Sequence, residues 1–134
     1  MQLNLTTDYA IRTLLFLASR NQQIPAAEIS GKLGIKTTYI LTFTRKLRDT
    51  KIIASAPGAH GGLRLARDPS EITLLEVVEL MEGTTRINRC LDDDYYYHLG
   101  EEECSVREVY QSLQDDFEAK LRQITIEDLM DKRK

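Results

Sequence analysis

The chain of 134 residues is short of the features that mark a catalyst, a membrane protein or a secreted disulfide scaffold. It holds only two histidines, His60 and His98, and no serine–histidine–aspartate or cysteine–histidine set in a recognisable context. It also has no glycine-rich phosphate cradle of P-loop or dinucleotide-binding type, so an enzyme is the weakest class. The apolar run AIRTLLFLAS follows Asp8, is broken by Arg12 and is too short to cross a bilayer. No secretory signal is evident, and the expected setting is the cytoplasm, with no membrane partner. Two cysteines, Cys90 and Cys104, make no disulfide framework. In a reducing cytosol such a pair points to metal binding or redox chemistry before a structural bridge. Tryptophan is absent as well, which excludes nothing on its own.

What remains is an ordinary soluble composition, 42% hydrophobic and 29% charged. The length suits one domain with room for a dimerisation appendage. A net charge of −3 argues weakly against nucleic acid, but its distribution reverses that. Between Lys32 and Arg67 stand eight lysines and arginines against the single Asp49, a local +7. The local field, not the total charge, is what draws phosphate. By contrast CLDDDYYYHLGEEEC, residues 90–104, carries six carboxylates and neither lysine nor arginine. Both thiols sit at the ends of that acidic loop.

Thr6-Thr7-Asp8 before YAIRTLLFLAS reads as a capped helix, with Tyr9, Ala10, Leu14, Leu17 and Ala18 as its buried stripe. NQQIP breaks it. AAEISGKL makes a short second helix, entered after Pro25 and left at Gly34. After a tight turn, Thr37 or Thr38 can cap a third helix, YILTFTRKLRDT. Its apolar face is Ile40, Phe43, Thr44 and Leu47. Its opposite face presents Thr38, Thr42, Arg45 and Asp49, with Lys46 and Arg48 on the flanks. Two short helices joined by a tight turn, the second offering hydroxyls and cations, make the helix-turn-helix layout that suits a major groove.

KIIASAP and LRLARD then read as strands joined by the glycine-dense GAHGG. A strand, a glycine tip and a strand directly after a helix-turn-helix make a wing. Its tip brings backbone N–H groups, with His60, Gly61 and Arg64, towards phosphates or a minor groove. SEITLLEVVELMEG follows as a helix, with Thr73 to Glu76 as a capping box and Gly83 at its exit. Past the acidic loop, SVREVYQSLQDDFEAKLRQI carries Val106, Val109, Leu113, Phe117, Leu121 and Ile124 in alternating threes and fours. So late in a small domain, a partner subunit is the expected surface for that stripe, and two-fold symmetry suits palindromic DNA. The expected class is therefore mainly α with a small β wing. Residues 1–83 form a winged helix-turn-helix, 84–104 a cluster or sensor loop, and 105–134 a dimerisation helix and tail.

These residues resemble the Rrf-type bacterial winged-helix transcription regulators, the IscR/NsrR/CymR superfamily. The likeness runs over essentially the whole chain. It rests on MQLNLTTDYAIRTLLFLA, on AAEISGKLGIKTTYILTFTRKLRDTKIIAS, on PGAHGGLRLARDPSEITLLEVVELMEG, and on the cysteines and the closing ITIEDL. It implies a homodimer, a repressor in the leading reading, that crosses over through the long C-terminal helix. Such a dimer holds operator double-stranded DNA through the second helix of the motif and the wing. The DNA-binding set is then Thr37, Thr38, Tyr39, Thr42, Arg45, Lys46 and Arg48 on the helix, with His60, Gly61 and Arg64 on the wing. Three departures bear on which bases are read: Leu41 stands where a polar residue is common, Pro57 where arginine is, and Leu63 where an aromatic is.

Many members of that family hold an iron–sulfur cluster, 2Fe-2S or 4Fe-4S, on three cysteines in the loop before the long helix. Here Cys90 and Cys104 match the first and third positions. His98 stands where nitric-oxide-sensing members place the middle cysteine, giving C-x7-H-x5-C. Asp8 stands where some relatives supply a fourth ligand from the other subunit. Thiolate with imidazole is a known iron–sulfur donor set. Zinc, a Cys90–Cys104 disulfide switch, and a cluster-free winged-helix regulator or interaction module controlled by a partner protein are the other readings of the same residues.

Overall fold

Six α-helices and one two-stranded sheet follow one another along residues 2–91 and 105–131, the residues that the computed structural model describes. Helix α1 (Leu5–Arg20) buries Ala10, Leu14, Leu17 and Ala18 and half-buries Tyr9, the stripe read from its spacing. Its start differs from the expected Thr6-Thr7-Asp8 cap. Glu82, far along the chain, does the capping: its two carboxylate oxygens each accept from the Asn4 N–H at 3.2 Å. Thr7 Oγ1 donates to Glu82 Oε2 at 2.6 Å. The helix therefore begins at Leu5, and Thr7 turns fully inward. A carboxylate there also suits the positive end of the helix dipole.

Helix α2 (Ala26–Leu33) ends at Gly34, whose φ of 69° is the left-handed conformation a tight turn needs. Helix α3 (Thr37–Asp49) begins with Lys36 in the N-cap position and no side-chain cap, so neither Thr37 nor Thr38 serves as one. The Lys36 carbonyl accepts from the Tyr39 and Ile40 N–H groups at 3.0 and 3.1 Å, which draws both threonines into the first turn. Ile40, Phe43, Thr44 and Leu47 are all buried, as their spacing requires.

Strands β1 (Ile53–Ala56) and β2 (Gly62–Leu65) pair antiparallel, Ile53 opposite Leu65 and Ala56 opposite Gly62. Both are shorter than KIIASAP and LRLARD. A third rung comes from outside the hairpin: the Ile24 N–H donates to the Leu63 carbonyl at 2.9 Å and the Ile24 carbonyl accepts the reverse bond at 2.8 Å. Gly62 makes this approach possible. Its φ is 145°, and a Cβ there would run into the backbone of Ile24 and Pro25.

Helix α4 (Leu74–Glu82) is capped by Thr73, whose Oγ1 accepts from the Glu76 N–H at 3.2 Å. Only that half of the expected box forms. Arg67 takes the Glu76 carboxylate at 2.6 and 3.0 Å, and that bonding raises the Arg67 pKa above its ordinary value. The residues before Thr73 lie outside the helix, in a short 3-10 turn Pro69–Glu71. Asp68 caps the turn through the Ser70 hydroxyl and N–H, bonds that hold its carboxyl below the usual range.

Helix α5 (Ser105–Gln123) divides its apolar stripe. Leu121 is buried and packs with Phe117 against Leu75 and Val78 of α4, so the helix has more of its own fold to rest on than the sequence implied. Val106, Val109 and Leu113 are 56%, 57% and 54% exposed. The last helix, α6 (Ile126–Asp131), returns to the main core, where Ile126 is fully buried and Leu129 and Met130 pack at the edge. Backbone bonds from Leu74 to Ile124 (2.8 Å) and from Ile126 to Ile72 (3.0 Å) fasten it beside the start of α4.

Candidate nucleic-acid interface

Helix α3 can present a face because it anchors the opposite one. With Ile40, Phe43, Thr44 and Leu47 in the core, Thr38, Thr42, Arg45, Lys46, Arg48 and Asp49 are exposed and Thr37 is half-buried. The structure thus brings six of the seven helix candidates to the surface or its margin together, and Tyr39 beside them. Tyr39 is 39% exposed but occupied: its hydroxyl lies 2.7 Å from Thr6 Oγ1, and its ring meets Tyr9 and Phe43 edge-on at 5.6 and 6.1 Å. It fixes the start of α3 against α1. The Thr42 hydroxyl donates to the Thr38 carbonyl at 2.9 Å and keeps its lone pairs outward.

The wing stands beside this face. Arg48 Nη1 reaches within 3.5 Å of Ser55 Oγ on β1, so the cationic side of α3 continues into the hairpin. At the tip, His60 is exposed while Gly61 is buried and spends its N–H on the Gly58 carbonyl at 3.0 Å. Gly61 is there for fit: a Cβ would strike the Ala56 carbonyl and Pro57. Arg64 is exposed on β2, its Nη1 3.3 Å from the Leu65 carbonyl. Two contributors escaped the sequence reading. Ile24 braces the wing through a single rung, which has no pattern to detect. Lys51, exposed and at φ 62°, adds a cation at the α3–β1 corner where glycine or asparagine is the usual signal.

Helices, cations and hairpin are then in one arrangement, and comparison with known proteins places it. Residues 3–132 match the family model described as Rrf2, iron-dependent transcriptional regulator. The chain belongs to the Rrf2 family. The HTH-type transcriptional regulator IscR of Photorhabdus laumondii is 28% identical over 132 residues, 97% of this chain and 79% of that protein. The HTH-type transcriptional regulator NsrR of Shouchella clausii is 27% identical over 132 residues, 97% and 89%. Among solved structures, CymR, the global cysteine regulator of B. subtilis, superposes with a TM-score of 0.83 over 98% of this chain and 97% of its own. At 22% identity that likeness speaks for the fold: a mainly helical chain with a small wing. As an Rrf2 protein this chain is a DNA-binding regulator of transcription and not an enzyme. No helix among the described residues is long and apolar enough to cross a membrane.

The four residues named for a metal centre divide. His98 and Cys104 lie outside the described residues. Cys90 is a free, half-buried thiol on a 3-10 turn, Arg89–Leu91. Its N–H is held by Asn88 Oδ1 at 3.0 Å, and its carbonyl by Arg107 Nε of α5 at 2.9 Å. The segment leading to it is pinned as well. Buried Gln114 accepts from the Ile87 N–H at 2.7 Å, and Glu118 takes both Gln114 and the Thr85 hydroxyl. Asp8 is occupied, both oxygens within 3.1 Å of Arg12 Nε on the next turn. That pair is 65% and 45% exposed on the Arg12 and Asp8 sides. Exposed i,i+4 pairs contribute little, so this one yields readily to a stronger ligand. Among the described residues no three of histidine, cysteine, aspartate and glutamate converge.

Proposed function

We propose that the chain is a homodimeric repressor that holds operator double-stranded DNA between α3 and the wing of each subunit. Its affinity is set by the state of the 90–104 loop. The observation that carries the DNA half is the contact between Arg48 and Ser55, which sets the exposed cations of α3 beside the hairpin. The exposed row of Val106, Val109 and Leu113 supports a second copy as the cover of α5. So does the groove of about 510 Å³ beside it, where Leu3, Val78, Phe117 and Leu121 give an apolar floor and Glu82 and Arg86 add charge.

For the sensor half, a free thiol at Cys90 and a displaceable carboxylate at Asp8 fit the donor chemistry of an iron–sulfur cluster completed by His98 and Cys104. A cluster bound there, 2Fe-2S or 4Fe-4S, supplies a redox- and nitric-oxide-reactive centre. What this chain contributes is the mounting. Arg107 ties the Cys90 turn to α5, and Gln114 ties the preceding segment to the same helix. A change in the loop therefore reaches the helix that sets the spacing of the two DNA-reading heads. A second reading, a cluster-free regulator governed by a partner protein, leaves Asp8 paired with Arg12 as it stands.

Iron and sulfide content, with a visible spectrum, on protein purified without oxygen separates the two. The expected result is coloured protein with matched iron and sulfide, and a Cys90→Ala variant that loses the iron signal while remaining dimeric. Colourless protein even after reconstitution removes the cluster and leaves the partner-governed reading. A full complement of iron in Cys90→Ala removes that residue as a ligand.

A further inference from the structure

Among the described residues the exposed large apolar side chains fall into two groups, with Tyr39 and Leu41 left over. Leu3, just before α1, and Val106, Val109 and Leu113 on α5 belong to the surface assigned above to the second subunit, and Leu5 follows two residues after Leu3. Tyr39 is engaged by Thr6, Tyr9 and Phe43. Leu41 has no such partner group and is 51% exposed on the outer side of α3. Its neighbours there are Thr38, Thr42 and Arg45, hydroxyls and a cation. Leu41, Arg45 and Arg48 fall at i, i+4 and i+7 and so form one row along the helix. The Arg48 end of that row touches the wing at Ser55. Leu41 is thus the apolar member of an exposed row whose far end, at Arg48, meets the wing.

A leucine set among cations and hydroxyls, on a face that meets a polyanion, needs an apolar counterpart within that polyanion. The major groove offers one that varies with sequence, the C5-methyl of thymine. We infer that Leu41 reads a thymine in each half-site and favours A·T over G·C there by covering that methyl. This inference rests on the reading that α3 enters the major groove, and it adds which base class the helix selects. It also gives the departure at position 41 a chemical sense: a leucine can neither donate to nor accept from a base edge, so shape and the methyl are all it can recognise.

The test uses the full chain. Preferred sites are recovered from a random duplex pool, and the best duplex is remade with each thymine replaced singly by deoxyuridine, which removes the methyl and nothing else. Expected is one thymine per half-site where the exchange weakens binding about fourfold, the size of one buried methyl. Leu41→Ala and Leu41→Asn should bind the two duplexes alike. No penalty at any thymine, or a penalty that persists in both variants, overturns the inference. A pool that yields no preferred sequence, or an Arg45→Ala variant of unchanged affinity, overturns the major-groove reading and this inference with it. A preferred sequence with normal dependence on Arg45 but a flat response to deoxyuridine overturns this inference alone.

Discussion

Replacing Arg45 and Arg48 together by alanine should weaken duplex binding about a hundredfold, given roughly 1–3 kcal/mol for each DNA-contacting arginine. Both side chains are exposed, and among the described residues Arg48 is held by no more than its long approach to Ser55, so the fold and its melting temperature should stay as they are. The salt dependence carries the sharper information. Removing one phosphate-binding cation lowers the slope of log affinity against log salt by about 0.9. If both arginines face the backbone, the slope of the double variant falls by about two units. If one reads a base edge, it falls by nearer one unit, and sequence preference relaxes. Unchanged affinity and slope across a salt titration would take α3 out of the interface.

A second large effect is expected on α5. Leu113→Asp puts a carboxylate at the inner end of the exposed Val106–Val109–Leu113 row, next to Phe117, and in a symmetric dimer it does so twice. An unpaired charge buried in an apolar interface costs several kcal/mol, more than a modest dimer has to spare. The variant should sediment as the 15.4 kDa monomer at micromolar concentration while keeping its helical content, because Leu113 is 54% exposed and no part of the buried core. Duplex affinity should fall by a factor of a hundred or more. Once one head is bound, the second engages at the high effective concentration that the dimer enforces, and the monomer forfeits this. A Leu113→Asp protein that still runs as a dimer would move the interface elsewhere. Its natural second location is the groove beside Leu3 and Phe117.

Much of the DNA head was legible because its elements announce themselves locally. The 40, 43, 44, 47 spacing fixes which side of α3 is buried, whatever it packs against, and GAHGG can hardly be anything but a turn. Gly34, Thr73 and Gly83 act at the boundaries where their backbone or hydroxyl chemistry places them. What escaped the reading is long-range. That Glu82 caps α1 depends on the end of α4 arriving at Asn4, and no neighbouring residue encodes that meeting. The same holds for Ile24 on Leu63, for Tyr39 on Thr6, and for Arg67 taking Glu76 from the capping box. On α5 the periodicity correctly marks an apolar stripe. It cannot say that Phe117 and Leu121 pack into the chain's own core while Val106 to Leu113 stay outside, because the division is made by where α4 ends. The proposed sensor site is legible only as a spacing. Of its four residues, Cys90 and Asp8 are described, and each is already engaged by a neighbour, Arg107 at the Cys90 carbonyl and Arg12 at the Asp8 carboxylate.

The most direct test of a DNA head governed by the 90–104 loop is one binding curve measured three times. The same preparation is titrated with the same selected duplex as purified without oxygen, after iron is removed by chelation, and after thiol oxidation. A loop that sets the spacing of the heads predicts that at least one change of state moves the affinity tenfold or more. It also predicts that Cys90→Ala collapses the three curves onto one. Three superimposable curves for the wild-type chain, all tight and all salt-dependent, would contradict it.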